Sequence, residues 1–344
     1  MKSCLAVSVA GVLLLATSAT AAPTPPAIAK QMRTNLAYQI ALEGENFSPG
    51  LIDGKWGPRS DLALKEWTAA KLPGVSTADK KMFDTLKPDL DGALTTYTIT
   101  ADDAALVGML PDDWNEKAKL DLLPYPSMQE CILEKFHCSA GLLQTLNPGQ
   151  NLARISVGDT LNVPNVKHPL DVNAKVRSLP RDQQADHLSI DVTAKVIRAY
   201  NKDGTQIALF ECSVAKDKGR LPVSDTTIKE GKMAVYPGYT FNPKYWPEVT
   251  SVTHILNIPW GPRNPVGLVW MELNDVKRPD GGIVTGLGMH GTPKPEMIGK
   301  TGSHGCFRMT NWDALTLYAM VHEGLIVKII NPEKADTPAA AGAP

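Results

Sequence analysis

The spacing of apolar residues changes along the chain, and each change predicts a different kind of element. From Asn35 to about Leu86 the spacing is helical. Leu36, Ile40 and Leu42 form one apolar set. Leu62, Leu64 and Trp67 form a second, with Ser60 or Asp61 as the helix cap. Between them, Pro49-Gly50 and Asp53-Gly54 are turn signals, and Gly57-Pro58 breaks the chain before the second helix. A small helical bundle over residues 35–90 is predicted. Residues 94–166 form another unit. YTIT reads as a short strand, and SMQECILEKFHCSAGLLQTLNPG reads as helix, turn, helix. Ser127 caps the first helix, whose apolar face is Cys131, Ile132, Leu133 and Phe136. Leu142, Leu143 and Leu146 face inward from the second, which Asn147-Pro148-Gly149 ends. DTLNVP is a closing strand. The order is βααβ, with Ala101 to Pro126 inserted after the first strand.

From Asp186 the period becomes two. In LSIDVTAK, Leu188, Ile190, Val192 and Ala194 alternate with Ser189, Asp191, Thr193 and Lys195. NKDG supplies a hairpin turn before IALFECSV. Further strands are expected at THILNI, GLVWMEL, IVTGLGMH and LIVKII, and Trp312 to His322 is an amphipathic helix between the last two. The prediction for residues 186–331 is a mostly antiparallel, sandwich-like domain with one late helix. The whole chain is therefore read as multidomain α+β, without internal repeats.

The ends carry different information. Lys2, the apolar run Leu5 to Leu15 and the small-x-small site Ala19-Thr20-Ala21 describe a signal peptide over residues 1–21, cleaved near Ala21. Its apolar run is too short to span a bilayer, and no other stretch reaches membrane length, so the mature protein is expected to be exported and without a membrane span. Residues 22–30 read as a Pro- and Ala-rich linker, and 332–344 as a disordered tail. With 344 residues, two or three domains are expected. A net charge of −1 leaves no basic footprint for nucleic acid.

Candidate chemistry concentrates in MHGTPKPEMIGKTGSHGCFRM, residues 289–309. A cysteine nucleophile needs a base, donors for an oxyanion and an open approach. His290 ends a strand-like run and can return to Cys306 across a Gly- and Pro-rich loop. Gly305 before the cysteine leaves the backbone NH groups of Gly305 and Cys306 accessible to a substrate carbonyl. His304 can donate another hydrogen bond or orient the loop. Arg308 can lower the thiol pKa or hold a substrate carboxylate. Two other readings remain at this point. His290, His304 and Cys306 could be three zinc ligands, although Glu296 is the only carboxylate within the loop. Cys306 could also be a structural cysteine.

The same stretch resembles the signature of the L,D-transpeptidase family (YkuD-type catalytic domain). The match runs over His290, Gly291, Thr292, Ser303, His304, Gly305, Cys306, Phe307 and Arg308, with WGPRNPVGLVWMEL resembling an upstream "GP-x-NP-x-G" segment. AKDKGRLPVSDTTIKEGKMAV departs from the family, which often has a Thr-Pro stretch there. The resemblance covers about residues 186–331. It implies Cys306, His290, His304, Gly305 and Ser303 as catalytic residues, Arg308, Gly291 and Thr292 as substrate contacts, and no cofactor or metal. It further implies attack of Cys306 on the carbonyl of the meso-diaminopimelate residue of a tetrapeptide stem, loss of D-alanine, and a 3→3 cross-link by a stem amine. Water as acceptor would make an L,D-carboxypeptidase, and a protein lysine would anchor a protein to the wall. A non-catalytic wall-binding protein is the alternative of another class. Residues 35–90 resemble the peptidoglycan-binding-domain-1 family at Asp53, Gly54, Trp56 and Gly57, and residues 94–166 resemble a LysM module at LLQTLNPG and ISVGDTLNVP. Peptidoglycan stem peptides and glycan strands are the implied partners, in the periplasm or cell wall.

Cys4 leaves with the signal peptide. Export disfavours idle thiols, which favours a Cys131–Cys138 disulfide. An unbroken helix would hold their Cα atoms about 10.5 Å apart, beyond the roughly 7 Å reach of a disulfide. A turn near Phe136-His137 would bring them closer. Cys212 is expected to be buried and free.

Overall fold

The computed structural model describes residues 28–245, 249–303 and 305–332. The signal peptide, its cleavage site, His304 and nearly all of the tail lie outside the described residues. The chain opens with α1 (Lys30–Gly44), α2 (Pro58–Lys71) and α3 (Lys80–Leu86). The polar residues of α1 shape the turn that follows. Asn35 Nδ2 donates to Gly54 O at 2.9 Å, and Gln39 Oε1 accepts from Gly54 N at 2.9 Å. Gly54 has φ +71°, and a Cβ there would come within 2.8 Å of the Met32 side chain, so both backbone and packing require glycine. Helix α2 starts earlier than the expected cap. Gly57 precedes it, Pro58 takes the first position, and Ser60 is buried inside. Proline loses nothing there, because that N–H has no helical partner.

The second unit begins and ends with a strand. Strand β1 (Leu94–Thr98) pairs antiparallel with β2 (Thr160–Pro164). Between them run α4 (Ala101–Ala105), α5 (Trp114–Lys117), α6 (Met128–Lys135) and α7 (Ala140–Leu146). Ser127 caps α6 by accepting from Glu130 N, and Ser139 caps α7 by accepting from Leu142 N. Ile132, Phe136, Leu143, Leu161 and Val163 share one core with Leu36 and Ile52 of the first helices.

Residues 187–330 supply β3 (His187–Asp191), β4 (Val196–Tyr200), β5 (Gln206–Glu211), β6 (Val214–Ala215), β7 (Thr226–Val235), β8 (Tyr239–Phe241) and β9 (Leu256–Ile258). They continue with β10 (Val269–Leu273), β11 (Val276–Lys277), β12 (Ile283–Val284), β13 (Gly288–His290), β14 (Thr301–Ser303), β15 (Phe307–Arg308), α8 (Asn311–Met320) and β16 (Ile326–Ile330). Instead of two stacked sheets, one eight-stranded sheet runs β15-β13-β10-β7-β16-β3-β4-β5. It is mixed, because β16 runs parallel to β3 and β13 parallel to β15. The sheet curls until its ends meet. Just past β5, Ser213 exchanges both backbone hydrogen bonds with Arg308 of the opposite edge, at 2.8 and 3.1 Å. The β5 edge is also covered at Leu209, which bonds Asn46 O and Ser48 N of the N-terminal helices. Leu188, Ile190, Met271, Met289, Phe307, Leu317 and Val327 fill the curl, with α8 closing one side.

The expected long strand 188–195 stops at Asp191. Its Oδ1 accepts from Thr193 N and Ala194 N, and Lys195 turns the chain at φ +58°. The run IVTGLGMH likewise splits into β12 and β13.

The Cys131–Cys138 disulfide is absent; both cysteines are free. The chain does turn at His137, with φ +55°, but the turn sends the thiols into different cores. Cys131 packs with Leu106, Tyr125 and Leu268, and Cys138 with Leu36, Ile52 and Leu142. Burial pushes each thiol up to about 12. Cys212 is buried and free as expected. Among the described residues, no helix is long and apolar enough to cross a membrane.

Candidate active site

Two short strands place the candidate nucleophile. The segment between β14 and β15 holds Cys306, and both strands are anchored on the stretch that leaves β5. Thr301 and Ser303 pair with Val214 and Ala215, and Arg308 pairs with Ser213. On its other side β15 lies parallel to β13, with Met289 opposite Phe307 and His290 opposite Arg308. Met289 and Phe307 are fully buried in the core. Alternation therefore puts Cys306, Arg308, Gly288 and His290 together on the other face. Cys306 and His290, sixteen residues apart in sequence, come onto one face of two adjacent strands through this pairing.

Each position in this cleft has a physical reason. His290 Nδ1 contacts Gly291 O at 2.6 Å. A carbonyl only accepts, so Nδ1 carries the proton and Nε2 keeps its lone pair in the neutral ring. Trp270 of β10 lies opposite His290, with ring centroids 5.7 Å apart. A Cβ on Gly288 would come within 2.9 Å of that Trp270 ring, so glycine gives the indole its place. Gly291 is equally constrained: a Cβ would meet Asn311 Oδ1 at 2.1 Å. Asn311, fully buried at the start of α8, accepts from Leu268 N at 2.9 Å and donates to Glu134 Oε1 at 2.7 Å. Glu134 belongs to α6 and also accepts from Tyr125 Oη.

The other sequence-derived residues have local roles. Thr292 is buried and its Oγ1 accepts from Lys294 N at 3.2 Å, shaping the turn. Ser303 is buried and its Oγ accepts from Gly305 N at 3.3 Å. That N–H is thus engaged in this resting geometry. A side chain on Gly305 would meet nothing closer than 4.0 Å, so its smallness serves the open space beside Cys306 and not local packing.

Residues 185–329 match the family model described as the L,D-transpeptidase catalytic domain (YkuD). The YkuD protein of Bacillus licheniformis is 24% identical over 200 residues, spanning 58% of this chain and 92% of that protein. The YqjB protein of Bacillus subtilis is 38% identical over 74 residues, 22% of this chain and 40% of its own length. Residues 185–329 are an L,D-transpeptidase catalytic domain. Among solved structures, the L,D-transpeptidase from Mycobacterium smegmatis is similar at 20% identity, covering 42% of this chain and 58% of that one with a TM-score of 0.29. The catalytic domain of the E. faecium L,D-transpeptidase is similar at 19% identity, covering 44% and 99%, also with a TM-score of 0.29.

The electrostatics of this L,D-transpeptidase domain set the resting state of the pair. Burial and then the Arg308 charge push the His290 imidazole down to about 4, against the carbonyls of Gly291 and Val266. Burial raises the Cys306 thiol, against the Gly288 N–H and Arg308. Both groups are therefore neutral at pH 7. The thiol points its proton weakly at Gly286 O, 3.8 Å away. Tyr239, Trp270 and Asn311 belong to the surroundings of this site but were not singled out by sequence. Tyr239 and Trp270 lie in strands well before the SHGC segment and Asn311 begins the helix just after it, and only the folded register reveals their place at the site. Among the described residues, no group of three or more His, Cys, Asp and Glu is gathered as for a metal.

Proposed function

We propose that this protein is a peptidoglycan L,D-transpeptidase with Cys306 as nucleophile and His290 as its general base. The observation that supports this is the parallel pairing of β13 with β15, with Cys306 and His290 on one face and the His290 Nδ1 already committed to a carbonyl. With both partners neutral at rest, the thiol proton moves to Nε2 as sulfur attacks; a preformed ion pair is not required. The carbonyl attacked is that of the diaminopimelate residue in a tetrapeptide stem. The C–N bond to D-alanine breaks, the proton held on His290 goes to the leaving amine, and a thioester remains. The side-chain amine of a second stem then displaces sulfur, giving a 3→3 cross-link, and the thiol regains a proton. Arg308 on the same face suits a substrate carboxylate. Gly291 O takes the orienting role that a carboxylate has in other triads.

The same reading places the protein outside the cytoplasm, with residues 35–90 and 94–166 as wall-binding modules and residues 1–21 as a cleaved signal peptide. The test is mass spectrometry of purified muropeptides incubated with the mature protein. Cross-linked dimers with release of D-alanine are expected. Tripeptide monomers alone would assign water as acceptor, and unchanged tetrapeptides would sink the enzymatic reading.

A further inference from the structure

The loop from His290 to Cys306 is held by a residue far outside the catalytic domain. Arg59 stands in the first turn of α2. Its Nη2 donates to Ile298 O at 2.6 Å, and its Nη1 pairs with Glu211 Oε2 at 2.9 Å. The guanidinium lies between two glycines in the left-handed region, Gly50 at φ +80° and Gly299 at φ +77°. A Cβ on Gly299 would sit 2.5 Å from Nη2, so this bend has room for the arginine only because it is glycine. The catalytic domain adds two ties of its own. Ser213 Oγ donates to Met297 O at 2.8 Å, and Lys195 Nζ to Gly299 O at 3.3 Å. Two residues beyond Gly299 the chain enters β14, and β14 ends three residues before Cys306.

We propose that Arg59 is a positioning residue for the active site: it fixes the Ile298–Gly299 bend and, through β14, the placement of Cys306 beside His290. This rests on the reading of Cys306 as nucleophile. Three features separate positioning from general stabilisation. The bond ends on a loop carbonyl and not on a regular element. Only a planar fork reaches the Ile298 carbonyl and the Glu211 carboxylate together. The side chain is 40% exposed, so it contributes little buried apolar area. Losing it does not strand a charge either, because Glu211, which burial pushes up to about 7 against the pull of Arg59, can take a proton. The opposite end of the loop has a parallel tie from the N-terminal part, the Glu134–Asn311 contact beneath Gly291. The N-terminal helices thus grip the catalytic loop at both ends.

The experiment uses the full mature chain with Arg59→Ala and Arg59→Lys. Hydrogen exchange of amides 297–303 and steady-state turnover on tetrapeptide muropeptides are measured for each. In Arg59→Ala, exchange in that segment should accelerate while α8 and β16 stay unchanged. Turnover should fall roughly tenfold to a hundredfold, as for a small misplacement of reacting groups, with KM within about twofold. Arg59→Lys should recover part of both, since one amine reaches one acceptor. Unchanged exchange, or faster exchange with unchanged kcat, overturns the proposal. If the wild type shows no turnover, the transpeptidase reading fails separately. Exchange together with iodoacetamide labelling of Cys306 then still decides, because equal values for wild type and Arg59→Ala overturn the positioning role.

Discussion

The cleft around Cys306 and the seam that joins β4, β5 and α8 to the N-terminal helices both hold partly or fully buried titratable groups, and they satisfy them differently. In the cleft, His290 faces the carbonyls of Gly291 and Val266, and the Cys306 thiol meets the Gly288 N–H and, at 3.8 Å, Gly286 O. No carboxylate pairs with Arg308 among the described residues. Along the seam, the acids are tied. Glu66 receives a bidentate Arg198 and Gln206, Glu134 accepts from Tyr125 and Asn311, and Asp313 accepts from Ser48 Oγ at 3.0 Å. Groups left with spare bonding capacity can react; groups with it filled specify where the elements sit. The catalytic face is therefore the less self-sufficient part of the structure, and the seam is what holds its loop.

The largest effect should come from the cleft, with no cost to the fold. Cys306→Ala removes the proposed nucleophile but little packing, because the side chain is half-exposed. Turnover should drop by at least about a thousandfold, some 4 kcal/mol of barrier, with the thermal midpoint unchanged. Thioester detected by intact-mass spectrometry in this variant would remove Cys306 from the mechanism. The seam should respond in the opposite sense. Trp67 is 2% exposed and packs with Leu42, Phe47 and the sheet residues Val196 and Leu209. Trp67→Ala should cost about 3–5 kcal/mol of stability, read by denaturant titration, while turnover of the remaining folded enzyme stays within a few-fold. A stability loss below about 1 kcal/mol would mean that the helices pack only loosely on the sheet. The same shared core predicts that residues 171–344 expressed alone aggregate, since Leu209 and Leu268 would lose their cover.

What could be read in the sequence follows the same division. The SHGC segment and His290 stood out as candidates because chemistry restricts residue types at fixed spacing. The helices α6 and α7 were legible because their caps and apolar faces are local. Strand β7 was not. It is ten residues long and central, paired with β10 and β16, yet only Thr226 and Ile228 are buried in it. TTIKEGKMAV therefore shows no apolar alternation. Strands β14 and β15, which place Cys306, are three and two residues long, too short for any period. Arg59, Glu134 and Asn311 were invisible as a group, because their partners lie 239 and 177 positions away. Separate apolar sets also suggested separate domains, whereas the structure gives them shared cores.

The two regions should separate by pH. His290 titrates near 4 when folded and has an ordinary value of 6.5. Its lowered value contributes stability above 6.5 that is lost as pH falls through 4. The proposed general base must be neutral to act, so the acid limb of kcat/KM should lie near pH 4. An acid limb at 6 to 7 would mean a solvated imidazole and an open cleft. The seam acids behave oppositely. Burial raises Glu134 to about 7, against the hydrogen bonds from Tyr125 and Asn311. Their stability is complete below the ordinary carboxylate range and is lost as pH rises through 7 to 8.

Asp313 gives the sharpest test of that difference. It lies in the first turn of α8, where a negative charge is ordinarily favoured. Burial nevertheless pushes it up to about 8, with Glu43 adding to the rise and hydrogen bonds from Ser48 and Thr310 opposing it. At pH 7 the folded protein therefore holds it mostly as the neutral acid. Asparagine has the same shape and is permanently neutral, and its carbonyl can still accept from Ser48 Oγ. The unfolded chain releases this proton at its ordinary 3.8 and the folded protein only at about 8, so Asp313→Asn should already be the more stable protein at pH 7, by a margin that grows from pH 6 towards 8. At pH 9 the wild type must carry a buried charge or open the seam, and the variant need not. The variant should remain the more stable of the two, with cleft activity unaffected. Denaturant midpoints measured for both proteins at pH 6, 7 and 9 decide it: curves that stay parallel across this range would show that Asp313 is ionised throughout, and that the seam tolerates the charge.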